Sequence, residues 1–162
     1  MVNRRLLMQF LLAAAFLSLT SGCRKARIIC LRTEVVSAAN QNQPVAVDVL
    51  LVRDKDLIKK LMAMPASDWF EKRAQIMRDY PDPKELVVFH REWVPGQVVP
   101  CSSLALKPMP RATILFAHYF GKGDHRARLI NGKSAAIHLG EEDVEILPLA
   151  ECTRAACPTD TR

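Results

Sequence analysis

Pro44-Val-Ala-Val-Asp-Val-Leu-Leu-Val-Arg-Asp-Lys-Asp-Leu-Ile-Lys-Lys-Leu-Met-Ala-Met-Pro65 changes its period halfway along. Up to Val52 the apolar residues alternate: Val45, Val47, Val49 and Leu51 share one side of an extended chain, against Ala46, Asp48 and Leu50. That is the period-two signature of a strand with a strongly apolar face. From Asp54, Leu57, Ile58, Leu61, Met62 and Met64 recur at helical spacing, with Asp54 as a candidate N-cap. The helix breaks at Met64-Pro65-Ala66. A second helix opens at Ser67-Asp68 and runs to about Arg78, with Trp69, Phe70, Ile76 and Met77 as its stripe. Asp68 and Glu71 have the spacing of a capping box.

Strands flank this helical insert on both sides. Before it, Arg27–Val36 is β-branched and apolar, and the polar run 37–44 connects it to Val45. After it come Glu85–Val94, the Pro95-Gly96 turn, a short extended Gln97–Pro100 and a proline-punctuated loop at 107–110. Arg111–Phe120 is apolar on both faces, which predicts a central strand. Short strands follow at Arg126–Ile130, Ser134–Leu139 and Val144–Leu149, with Asn131-Gly132 as a tight-hairpin signal. Seven or eight strands with two helices after the second predict a mainly β, two-sheet sandwich with a helical side module. A single α+β sheet is the alternative.

The N-terminus carries an export signal. Arg4 and Arg5 precede the apolar run Leu6–Leu19, which is short for a bilayer span. It ends in Leu19-Thr20-Ser21-Gly22-Cys23, the pattern of a bacterial lipoprotein signal with Cys23 as the acylated residue. Several acyl chains on one cysteine hold a protein at a membrane stably. Arg24 rather than Asp after Cys23 favours the outer membrane. The expected organisation is a signal at 1–22, a lipidated tether at 23–26, a sandwich domain at 27–150 with helical insert 54–79, and a tail at 151–162. Of the chain's 162 residues, removing 22 leaves 140, enough for one domain with a core. At 49% hydrophobic and 25% charged it is globular. Loss of Arg4 and Arg5 lowers the net charge from +6 to +4, too weak a balance to argue for nucleic acid.

Four cysteines remain beside Cys23: Cys30, Cys101, Cys152 and Cys157. An oxidising compartment suggests two disulfides among three possible connectivities. A local Cys152–Cys157 clip would leave Cys30 with Cys101; four unpaired thiols are the alternative. Catalytic motifs are missing: there is no HExxH, GxSxG or P-loop, and no pair of histidines at metal-ligand helical spacing. His118 and His138 fall among apolar strand residues. His125, Arg126 and Arg128 form a basic stripe, and Arg126 and Arg128 share a strand face. Glu141, Glu142 and Asp143 read as a solvated acidic turn. The basic run Arg24-Lys25-Ala26-Arg27 reads as a solvated tether, with anionic headgroups as the alternative contact.

Leu19 to Cys23, Asn40 to Asp54, Trp93-Val94-Pro95-Gly96 and Leu115-Phe116-Ala117-His118-Tyr119 together resemble the outer-membrane lipoprotein family of type VI secretion systems. The resemblance implies a transthyretin-like two-sheet β-sandwich with an added helical element. It implies a non-catalytic protein, lipid-anchored on the periplasmic face of the outer membrane, without cofactor or metal. Its partner would be the periplasmic part of a large inner-membrane protein, joined in an envelope-spanning complex. The partner-binding loop would be Ser37 to Pro44, with Asn40, Gln41, Asn42 and Gln43 first and Arg126 and Arg128 second. The rival functions are a periplasmic lipoprotein enzyme using His118, His125 or His138, and an inhibitor-like or pilotin-like lipoprotein binding another protein.

Overall fold

The change of period at Arg53 is where strand gives way to helix in the computed structural model, which describes residues 27–107, 109–130 and 133–149. The signal, the tether with Cys23, the Asn131-Gly132 turn, and the tail with Cys152 and Cys157 lie outside the described residues. Eight strands form: β1 (Arg27–Val35), β2 (Val45–Val52), β3 (Leu86–Trp93), β4 (Val98–Leu106), β5 (Ala112–His118), β6 (Arg126–Leu129), β7 (Ala135–Leu139) and β8 (Val144–Pro148). Two helices, α1 (Lys55–Met62) and α2 (Ala66–Asp79), follow β2.

The strands make two four-stranded sheets, β4-β1-β7-β8 and β3-β2-β5-β6. All pairings are antiparallel except β1 with β7. This is the two-sheet sandwich with a helical insertion, and not the single-sheet alternative. Ile29, Leu31 and Val35 of β1, Val45, Val47, Val49 and Leu51 of β2, Leu115 and Ala117 of β5, and Ile137 and Leu139 of β7 fill the space between the sheets.

The opposite face of β2 and β5 is buried too. Leu50, Val52, Ile114 and Phe116 meet Leu57, Leu61, Trp69 and Ile76 of the helices in a second core. The protein is therefore three layers deep: sheet, sheet, helices. Strands covered on both faces lose the hydrophobic-in, polar-out alternation, which explains the near-continuous apolar runs of β2 and β5. Both are interior strands of their sheet.

Asp54 caps α1 as expected, its carboxylate accepting from Leu57 N at 2.7 Å. The capping box at α2 is absent: the helix begins at Ala66, and Pro65 gives no side-chain cap. Asp68, already inside the first turn, binds Lys72 one turn on. β4 is longer than the expected Gln97–Pro100 and continues to Leu106. It is an outer strand of its sheet, and Pro100 falls where the β1–β4 register shifts between the Leu31–Ser102 and Thr33–Val99 pairs, the kind of place a strand tolerates proline. Cys101 thus lies in a strand, not a loop, and is bonded to Cys30 of β1 with the Cα atoms 5.8 Å apart.

Candidate functional site

Strand register decides what meets at each end of the sandwich. Trp93 pairs with Val45, His118 with Ala46, and Leu139 with Val35. The β1–β2, β3–β4, β5–β6 and β7–β8 connections therefore all emerge at one pole. The elbow between α1 and α2 joins them, because Ala66 N donates to Asp124 O at 2.9 Å and Arg126 donates to the Met64 carbonyl. Arg27 begins β1 at the opposite pole. Eight rises of about 3.3 Å separate Arg27 from Val35, about 26 Å in all.

The β1–β2 connection is a tight turn, Ala39–Asn42, rather than a plain polar loop. Asn40, Gln41 and Asn42 are all left-handed, with φ of 49°, 58° and 60°. Non-glycine residues in that region cost roughly 1–2 kcal/mol each, somewhat less for Asn. Such strain persists only where surroundings enforce it, and here the enforcement is visible. Asn40 is buried; its Nδ2 donates to Pro44 O at 3.0 Å, and its Oδ1 accepts from Phe120 N at 2.7 Å. Asn40 N also donates to Glu141 O at 2.9 Å. One residue thus ties its own turn to the β5–β6 and β7–β8 connections. Gln41, Asn42 and Gln43 are exposed above it.

A second set of bonds closes the β5–β6 and β7–β8 connections on each other. His125 is buried and packs on Tyr119, ring centroids 4.9 Å apart. Its Nδ1 lies 3.1 Å from Asp143 Oδ1 and its Nε2 lies 3.0 Å from Gly121 O. Gly123 makes room for that ring, since a Cβ there would come within 2.5 Å of it. The Tyr119 hydroxyl sits 3.1 Å from the carbonyls of both Gly140 and Asp143. Burial first, and the Asp143 charge second, raise its ionisation above the ordinary tyrosine range. The β3–β4 turn is a Pro95-Gly96 turn with Gly96 at φ 78° and a Gln97 N to Val94 O bond. A left-handed third residue is what a type II turn requires, and glycine supplies it freely. Between the elbow and the β5–β6 connection lies an open cleft of about 480 Å³, lined by Pro65, Ser67, His118, Phe120 and Lys122 among others. Phe120 is 64% exposed beside it.

The two predicted arginines do face the same way, toward the helical layer, but differ in availability. Arg126 is held by the Met64 carbonyl and by Asp124 at 3.1 Å, whereas Arg128 is exposed. Of the basic stripe, His125 is buried at the pole just before β6, and only the two arginines lie on that strand. The three candidate catalytic histidines do not all converge: His118 and His125 line the same cleft beside the elbow, whereas His138 lies on the other sheet. His118 is exposed and packs on Phe70, ring centroids 4.7 Å apart. His138 points to the outer face of the other sheet, alternating with buried Ile137 and Leu139. Both nitrogens of His125 are within reach of oxygens, the Asp143 carboxylate and the Gly121 carbonyl. Among the described residues no group of three or more His, Cys, Asp and Glu side chains is placed to hold a metal.

Sequence reasoning missed the inward role of Asn40 and the Tyr119–His125–Asp143 contact. Two asparagines at positions 40 and 42, a residue type that tolerates left-handed backbone, were the local signal for the first. Residues 18 to 24 apart in sequence gave none for the second. It also missed a buried carboxylate under α2. Asp48 accepts from Trp69 Nε1 at 2.9 Å and Arg73 at 3.1 Å, and His90 Nδ1 lies 2.7 Å away.

A sandwich that gathers four strand connections and a helical elbow at one pole belongs to the class of β proteins that present loops from a rigid frame. Its particular fold is that of the type VI secretion lipoproteins. The lipoprotein TssJ1 of Pseudomonas aeruginosa aligns with a TM-score of 0.62 at 13% identity, over 79% of this chain and 100% of that one. A chain of a type VI membrane complex aligns with a TM-score of 0.59 at 14% identity, over 76% and 100%. Serratia marcescens Lip, described as a membrane-bound component of the type VI secretion system, gives 0.56 at 16% identity, over 74% and 96%. No family model matches the sequence, and no curated protein does.

Proposed function

We propose that this chain is a divergent lipoprotein of a type VI secretion complex, anchored in the outer membrane through Cys23 and non-catalytic. Its loop pole binds the periplasmic part of an inner-membrane protein of the same complex. The observation that carries this reading is the separation of the two ends. The chain enters at the Arg27 pole, and the strained Ala39–Asn42 turn lies at the other. A lipid at Cys23 would leave that turn facing away from the membrane, toward the periplasm. The shared fold with proteins described as type VI lipoproteins supports the same assignment. The contact itself is assigned to Gln41, Asn42 and Gln43, held in place by Asn40; Arg128, farther along β6 toward the Arg27 pole, is a secondary cation outside the loop pole.

The test is a triple substitution, Gln41→Gly, Asn42→Gly and Gln43→Ser, in the acylated protein. Glycine relieves the left-handed strain, so stability should hold or rise by up to about 1 kcal/mol. Capture of the inner-membrane partner from cross-linked cells should fall at least ten-fold. Undiminished capture by a stable triple variant would remove this turn from the interface.

A further inference from the structure

The Arg27 pole has a surface chemistry that the bridging role leaves unused. The β4–β5 and β6–β7 connections emerge there, as Arg27 pairs with Leu106 and Thr113 with Leu129. Lys107 and Lys133 are exposed in these connections. Beside them two large apolar side chains stand in solvent, Met109 at 44% and Ile130 at 62% exposed. Acidic residues are missing from the two connections and the strands that flank them: the sequence has none between Glu92 and Asp124 and none between Asp124 and Glu141, while Glu151 follows in sequence after β8, which ends at this pole. The loop pole has the opposite sign, with Asp124, Glu141, Glu142 and Asp143 against Lys122. On the helical side of the Arg27 pole the charges are mixed, Arg53, Lys55 and Lys84 with Asp54, Asp56, Asp79, Asp82 and Glu85.

We propose that the Arg27 pole rests directly on an anionic lipid surface, Lys107 and Lys133 against the headgroups and Met109 and Ile130 dipping into the interface. The inference builds on acylation at Cys23, and a short tether would then keep this pole close to the leaflet. Four peptide units join Cys23 to Arg27, a reach of at most about 14 Å. Cations close to an anionic leaflet are drawn to it, and exposed apolar side chains at the interface add burial that charge alone does not supply. The pole leans on its β4–β5 and β6–β7 side, because the acids near α1 and β3 oppose contact on the other. A protein seated in this way holds its loop pole at a fixed height and orientation, rather than swinging on a flexible leash.

Hydrogen exchange on the acylated, full-length protein tests this. It is reconstituted into phosphatidylcholine vesicles, with and without phosphatidylglycerol, and the mass of the Cys23 peptide is read in the same samples. Anionic vesicles should slow exchange in the β4–β5 and β6–β7 connections roughly ten-fold relative to neutral ones, with no change at Ala39–Asn42. Lys107→Glu with Lys133→Glu, two exposed positions, should abolish that difference while the protein still floats with the vesicles. Vesicle-bound protein whose Arg27 pole exchanges alike on both lipids, or which is protected at the loop pole instead, overturns the inference and leaves anchoring intact. A Cys23 peptide without acyl chains, in protein that stays in the aqueous phase, brings down the anchoring reading and this inference with it.

Discussion

Asn40 and Tyr119 show how single side chains hold the loop pole. Asn40 adopts φ 49° and spends both ends of its amide inside the protein. Asparagine suits both tasks, since it tolerates left-handed backbone and carries a donor and an acceptor on one short arm. Tyr119 reaches from the end of β5 to the carbonyls of the β7–β8 connection. Its ionisation lies above the unfolded value of 10.0, chiefly because it is buried. The folded state therefore keeps the phenol neutral where the unfolded chain has begun to lose the proton. The corresponding stability is fully present below pH 10 and is lost as pH climbs beyond it. Tyr119→Phe should lower stability at pH 7 by about 1 kcal/mol through the lost hydrogen bond. It should also make the alkaline decline shallower than in the parent. Urea midpoints measured at neutral pH and at several points above pH 10 check both; parallel alkaline slopes would refute the assignment.

At the scale of elements, the helical layer depends on one aromatic contact and one buried acid. Trp69 stacks on Phe116 of β5 at 5.3 Å, nearly parallel, and its indole N–H satisfies Asp48 of β2. Arg73 of the same helix and His90 of β3 complete the ring of donors around that carboxylate. α2 is thereby registered on the sheet by polar bonds as well as by packing. Trp69→Ala removes a fully buried side chain and should destabilise by about 3–5 kcal/mol. Trp69→Phe keeps most of the packing but leaves Asp48 short of a donor, at about 1–3 kcal/mol. Chemical denaturation followed by circular dichroism separates the two. Equal costs would mean that the indole N–H contributes nothing.

At the scale of the molecule, the Cys30–Cys101 bond joins residues 71 apart in sequence across the β1–β4 pair. Closing a loop of that length in the unfolded chain is worth roughly 4 kcal/mol on the chain-entropy account. Cys30→Ala with Cys101→Ala should lower stability by up to that amount. Dithiothreitol should lower the melting temperature of the parent but not of the double variant. A melting temperature insensitive to reductant in both would place these cysteines outside the stabilising framework. The bond lies on β1, the strand that runs from the Arg27 pole to the loop pole, so it reinforces the member connecting the proposed anchor to the proposed contact.

The period change around Arg53, the alternation in β2 and the double-sided apolarity of β5 were readable from the sequence because secondary structure imposes local periodicities on side chains. So were the Asp54 cap and the Pro95-Gly96 turn, which depend on residues within one turn of each other. The resemblance to type VI lipoproteins foretold the sandwich. What tertiary structure alone decided involves residues distant in the chain. It buried the second face of β2 under two helices, turned Asn40 inward to Phe120 eighty residues away, and drew His125 to Asp143. It also gathered Lys107, Met109, Ile130 and Lys133 at the pole where Arg27 begins the fold. Strand pairing sets these neighbours, and pairing partners are chosen by the packing of the whole core rather than by any local pattern.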